Sequence, residues 1–315
     1  MKIVITGFKK RTVVCGIEDN SLCYFDVVSQ SPVTPGNVYV ARVEDRIKNL
    51  DACFVRVQPE VKCFLNSGDC KDHTLPKTGE LIPVRIKSEA KGSKLAVCTM
   101  KLGQDSEELE NKAKTRSLYS LLKAEAPVYI KKIRTIPKED ISDIITDRLD
   151  IYDLLRGELD PEGDAYNIRH YTDDGFPLTA LFSIREKVEE LLSKRVWLKS
   201  GGYLVIDRTE ALCVIDVNTG KCDRRLGRSE NLHSINLEAA REALRQIRLR
   251  NLSGIILIDF INYKKEDASL LKQLEEELEK LCTKDAVTCE FVDITPLYLA
   301  ELTRKRVAPP VAELL

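Results

Sequence analysis

Residues 211–220 read ALCVIDVNTG: five apolar residues run into Asp216, and Asn218 follows two places on. A carboxylate at the end of an apolar strand is costly unless something positive meets it. Working outward, GYLVIDR (202–208) and ALCVIDV (211–217) read as a hairpin across Thr209 and Glu210. A loop then runs to about His233, followed by a helical stretch INLEAAREALRQIRLR (235–250), an apolar strand GIILIDF (254–260) and a second helical stretch DASLLKQLEEELEKLC (267–282). Strand, helix and strand of these lengths form a βαβ unit, whose two strands are parallel and close in one sheet. That decides an α/β class for the last third of the chain. It also sets Asp216 and Asp259 at the carboxyl ends of neighbouring strands, beyond which open α/β sheets bind ligands.

Two carboxylates that converge repel, so one holds a proton or a cation lies between them. Oxygen donors without His or Cys favour a hard cation, and Mg²⁺ takes one or two carboxylates while completing its shell with water and phosphate oxygens. Asn218 could add a neutral oxygen or orient a bound water. The alternative is that both aspartates cap loops or pair with arginines. Lys221, Arg224, Arg225 and Arg228 crowd the loop after the first strand, and Arg241, Arg245 and Arg248 form a stripe on the helix. A polyanion approaching the acids would meet the loop charges. The helix stripe is equally explained as a solvated face paired with Glu238 and Glu242.

At 315 residues the chain is long enough for two or three domains. Its 49 Lys and Arg against 50 Asp and Glu give a net charge of -1, so a polyanion site must be a local patch. The ten cysteines occur singly, with no C-x-x-C spacing, and are expected to be reduced and mostly buried. No signal peptide is recognisable and no apolar run approaches the roughly 20 residues of a membrane helix. A soluble, cytoplasmic protein with no membrane partner is expected.

The N-terminal third alternates as a β-protein. KIVITGF (2–8), RTVVCGI (11–17) and SLCYFDVV (21–28) read as a meander. Five further strands lie in NVYVARVEDRI (37–47), DACFVRV (51–57), VKCFL (61–65), LIPVRIKS (81–88) and KLAVCTM (94–100), which fits a small barrel of OB type. Beyond it, 106–126 reads as helical, PVYIKKI (127–133) as a strand, and KEDISDIITDR (138–148), IYDLLRG (151–157) and SIREKVEELLSKRV (183–196) as helices. Phe54 and Phe64 come from adjacent barrel strands, with Lys62, Lys87 and Lys91 nearby. Exposed aromatics on such barrels stack single-stranded bases while lysines follow the backbone, although core packing is the default for a strand Phe.

VWLKSGGYLVIDRTEALCVIDVNTG (196–220), NLEAAREALRQIRLRNLSGIILIDFI (236–261) and LAELTRKRV (299–307) closely resemble the catalytic core of the ribonuclease E/G family of bacterial endoribonucleases. The barrel segment, with KCFLNSGD and KGSKL, is similar to that family's RNA-binding domain. The resemblance implies an α/β protein plus a small all-β barrel. Residues 1–35 would supply N-terminal strands of a ribonuclease-H-like domain, 36–103 an inserted OB-fold domain, 104–195 the rest of the ribonuclease-H-like domain, and 196–315 a DNase-I-like catalytic domain. It implies Mg²⁺-dependent cleavage of single-stranded RNA to 5′-phosphate and 3′-hydroxyl ends, with Mn²⁺ as a substitute. Asp216 and Asp259 would hold the metal and Asn218 would position it or the attacking water. Phe54 and Phe64 match base-contacting aromatics, Lys87 and Lys91 fall where RNA-contacting lysines lie, and Lys221 and Arg224 are basic neighbours of the acids. The chain departs from the family in three places. The "VRTA"-like Arg-Thr pair that senses an RNA 5′-monophosphate has no counterpart. No C-x-x-C zinc link follows TRKR, so a monomer or dimer without zinc is expected and not a zinc-linked tetramer. Asn262 also stands where long members carry a second acid. Two other readings are an RNA-binding protein of rRNA or mRNA processing with little catalysis, and an α/β enzyme acting on a small phosphate ester.

Overall fold

The computed structural model describes residues 1–90, 94–163, 165–173, 175–220, 228–263 and 267–315. These form two compact units, Met1–Val27 with Glu139–Asp153 and Tyr166–Leu315, and Val28–Lys138 with Leu154–Ala165. The fold is mixed α/β with a closed five-stranded barrel.

The chain opens with an antiparallel meander of β1 (Lys2–Phe8), β2 (Arg11–Glu18) and β3 (Ser21–Val27). Its tight turns hold Lys9, Lys10, Asp19 and Asn20 at positive φ, the conformation that two-residue hairpins require.

In the other unit, β4 (Val38–Ile47), β5 (Ala52–Gln58), β6 (Val61–Asn66), β7 (Leu81–Ser88) and β8 (Ala96–Thr99) pair in a ring, β4 meeting both β5 and β7. Alternation fills it: Val43, Cys53, Val55, Val57, Cys63, Leu65, Val84 and Ile86 form its core. A short β9 (Leu121–Lys123) extends β4, and α1 (Ser106–Thr115) precedes it. The helical reading of 106–126 therefore holds only for its first half.

Two sequence assignments are reversed. PVYIKKI is a helix, α2 (Val128–Arg134), because Tyr129, Ile130 and Ile133 all bury on one helical face. KEDISDIITDR holds a 3-10 turn at Lys138–Asp140 and then a strand, β10 (Asp143–Thr146), running parallel to β1 with Ile3 opposite Ile144. All four β10 residues are buried, so no period-2 signal marks it. After α3 (Leu149–Leu159), β11 (Ile168–His170) completes the first sheet in the order β11-β10-β1-β2-β3.

Then follow α4 (Leu178–Leu181), α5 (Ile184–Leu192) and the second sheet. Its members are β12 (Arg195–Trp197), β13 (Tyr203–Arg208) and β14 (Leu212–Asn218), then, after α6 (Arg228–Leu249), β15 (Gly254–Asp259), and, after α7 (Ala268–Thr283), β16 (Cys289–Ile294) and β17 (Leu299–Arg304). A last short helix is α8 (Val311–Leu314). The order is β12-β13-β14-β15-β17-β16, with β13 and β14 as the hairpin and β14 and β15 parallel across α6. Cys213, Ile215, Val217, Ile256 and Ile258 pack under Ala240, Leu244 and Ile247 of α6 and Leu274 and Leu278 of α7. The helices thus cover one face of this sheet, and the side chains between those core residues point to the other.

The described cysteines are all free thiols, buried except for Cys23. Among the described residues no helix is long and apolar enough to cross a membrane.

Candidate active site

Alternation along β14 decides where the acids go. Cys213, Ile215 and Val217 are buried under the helices, so Asp216 and Asn218 lie on the opposite face. The parallel register sets Asp216 directly opposite Asp259, the last residue of β15. In the hairpin Val205 pairs with Asp216 and Tyr203 with Asn218. Asp216 is half-buried and Asp259 exposed.

Asn218 Nδ2 donates a hydrogen bond to Asp216 Oδ2 at 2.7 Å, fixing that carboxylate. Partial withdrawal from water pushes the Asp259 carboxyl up, and the neighbouring Asp216 carboxylate pushes it further. The turn that follows is close-packed: a Cβ on Gly220, at φ +53°, would collide with the Gly201 carbonyl oxygen. Only glycine lets the SGG turn and the end of the strand lie this close.

Among the described residues no three His, Cys, Asp or Glu side chains converge as a metal cage. Two in-register carboxylates on a water-facing sheet suit an ion that keeps water and borrows phosphate oxygens, as Mg²⁺ does. Asp216 and Asp259 would hold it, and the donors include neither imidazole nor thiolate.

The helix arginines belong elsewhere. Arg241 pairs with Glu277 of α7 at 2.6 Å and Arg245 with Glu242 at 2.7 Å, all on elements of the covered face. Glu238 instead accepts the backbone N–H of Lys199 at 2.6 Å. Arg241 and Arg245 are thus structural, with partners partly different from those the helical spacing suggested. A cavity of about 630 Å³ is lined by Lys187, Glu238, Arg241 and Arg245, and neither acid reaches it. Lys221 and Arg224 lie outside the described residues, as does Lys91.

On the barrel, Phe54 and Phe64 are register partners on β5 and β6, with ring centroids 6.5 Å apart and an edge-on angle of 68°. Both are half-buried and outside the barrel core, on its outer surface. Core packing, the default reading for them, does not apply. Lys87 is engaged: its Nζ donates to both carboxylate oxygens of Asp69 at 2.8 and 2.9 Å. Lys62 and Arg56 bind Glu44 at 2.8 and 2.5 Å.

A model of the ribonuclease E/G family matches residues 73–307, which include both acids and the second sheet. The chain belongs to the ribonuclease E/G family. Ribonuclease G of Salmonella typhimurium is 38% identical over 148 residues, 47% of this chain and 30% of that protein. Ribonuclease G of Escherichia coli is 33% identical over 210 residues, 66% of this chain and 42% of its own. A chloroplastic ribonuclease E/G-like protein of Arabidopsis thaliana is 42% identical over 150 residues, 47% of this chain and 15% of its own. The matched stretch spans less than half the length of each of these relatives.

One group on the acid-bearing face went unnoticed in the sequence. Arg195 and Trp197 of β12 pair with Val205 and Tyr203, and so share a face with Asp216 and Asn218. The period-2 run YLVID marks Tyr203 as lying on one face with Val205. The three-residue β12 carries no such signal.

Proposed function

We propose that this chain is a metal-dependent endoribonuclease that cleaves single-stranded RNA, leaving 5′-phosphate and 3′-hydroxyl ends. The observation that carries the reading is the in-register pair Asp216 and Asp259 on adjacent parallel strands, braced by Asn218, within the stretch that matches the family. Mg²⁺, or Mn²⁺ in its place, would be held by the two aspartates and would supply positive charge for the scissile phosphate and make water a better nucleophile there. Asn218 keeps Asp216 in one orientation, so that the carboxylate needs no rearrangement when substrate arrives. The water oxygen bonds to phosphorus and the P–O3′ bond breaks. The attacking water gives its proton to solvent, the leaving O3′ takes one from solvent, and the phosphate stays on the 5′ oxygen of the downstream fragment. Phe54 and Phe64 give a stacking edge on the barrel for single-stranded bases, and Lys87 and Lys91, which follow them in the sequence, are the lysines proposed to meet the backbone. In domain terms the barrel is read as an OB-fold, the first sheet as ribonuclease-H-like and the acid-bearing sheet as DNase-I-like.

The test is a short, unstructured, end-labelled RNA incubated with Mg²⁺ and, separately, with EDTA. Cleavage with Mg²⁺ only, whose downstream product accepts a kinase label solely after phosphatase treatment, is expected. Cleavage that persists in EDTA, or products with 5′-hydroxyl ends, would refute the metal-assisted hydrolysis.

A further inference from the structure

Trp197 is the single tryptophan of the chain, and it is 64% exposed on a strand edge. So exposed an indole is an unusual use of a large apolar ring. It is not isolated, however. The Tyr203 ring meets it edge-on at 5.3 Å and 62°. The Arg195 guanidinium lies over both rings, 4.5 Å from the centre of Tyr203 and 5.7 Å from that of Trp197.

Sheet register ties this group to the acids. One row across the uncovered face runs Arg195, Val205, Asp216, Asp259, and the next runs Trp197, Tyr203, Asn218. From β12 to β14 is two strand spacings, roughly 10 Å. A shallow cleft beside the group is lined by Glu190, Ser193, Lys194, Arg195, Trp197 and Val205.

We infer that Trp197, held by Tyr203 and Arg195, is a stacking platform for one nucleobase of the RNA strand whose phosphate lies at Asp216 and Asp259. The inference rests on the endoribonuclease reading and extends it by a base-binding subsite on the catalytic sheet. The chemistry selects a nucleotide. A flat exposed ring accepts any base by its π-face, and a guanidinium at its edge attracts a polyanionic strand. The row geometry puts that ring within reach of a base next to a phosphate at the acid pair. Because stacking is tolerant of base identity, the platform fixes where the strand lies more than which sequence is cut.

With one tryptophan, intrinsic fluorescence reports on this position alone. The intact protein in EDTA is titrated with a short unstructured oligoadenylate while its end-label anisotropy is followed in parallel. Saturable tryptophan quenching with the same midpoint as the anisotropy is expected. Trp197→Ala should raise the KM for cleavage about five- to a hundredfold with kcat nearly unchanged, and Trp197→Phe should restore most of the loss. An anisotropy rise without quenching, and a Trp197→Ala enzyme of unaltered KM, would overturn the platform and leave the endoribonuclease reading standing. Equal quenching by an abasic strand of the same length would overturn base stacking. Absence of any anisotropy change would overturn the underlying reading, and the platform with it.

Discussion

At the scale of the residue, the site is defined by three side chains that strand alternation sends to one face. Partial withdrawal from water raises the cost of charging Asp259, and repulsion from Asp216 adds to it. A cation bound between them relieves that cost in the folded state only, so Mg²⁺ should raise the melting temperature of the wild-type protein. In Asp216→Asn/Asp259→Asn the metal-dependent increment should vanish, which calorimetry with and without Mg²⁺ would show. Asn218→Ala frees the Asp216 carboxylate it now holds at 2.7 Å. Cleavage should fall about 10- to 100-fold, as losses of ligand-orienting partners do. RNA affinity should stay unchanged; an equal loss of affinity would move Asn218 into substrate binding. The acids were legible because the βαβ spacing alone aligns them. Trp197 and Tyr203 were not, because their meeting depends on a three-residue strand whose pairing no periodicity announces.

At the scale of the element, the barrel carries two testable features. Phe54 and Phe64 lie outside its core, so Phe54→Ala and Phe64→Ala should each weaken RNA binding about five- to a hundredfold with the melting temperature nearly kept. A collapsed barrel would contradict their placement. Asp69 is 7% exposed, and although burial pushes its carboxyl up, the hydrogen bonds led by Lys87 outweigh this and hold it below its ordinary value. A carboxyl depressed in the folded state contributes stability that is fully present above its unfolded pKa, about 3.9, and is lost as pH falls through the folded value. Asp69→Asn should therefore flatten the fall of melting temperature below about pH 4. An unchanged acid limb would mean the pair adds nothing to the fold. The same pair occupies the Lys87 ammonium, which the sequence alone did not indicate. Barrel strands were readable from alternation, since one side of each faces the core. β10 was not, because Asp143 and Thr146 are buried along with Ile144 and Ile145, leaving a polar-flanked run that reads as helical.

At the scale of the whole molecule, the pairing of β1 with β10 joins segments well over a hundred residues apart. Such pairings follow from the burial of whole sheets, and local sequence carries little trace of them. The family match spans 73–307, crossing the end of the barrel and the entire second sheet. On the proposed function, chemistry and RNA binding are separable in this chain, with the acid pair serving only the first. The most direct measurement compares the wild-type protein with Asp216→Asn and Asp259→Asn, following cleavage of a labelled single-stranded RNA in Mg²⁺ and equilibrium binding of the same RNA in EDTA. The prediction is that both variants lose cleavage by about a thousandfold or more and bind within about twofold of wild type. Unaltered turnover in either variant would contradict the claim that the two aspartates form the catalytic centre.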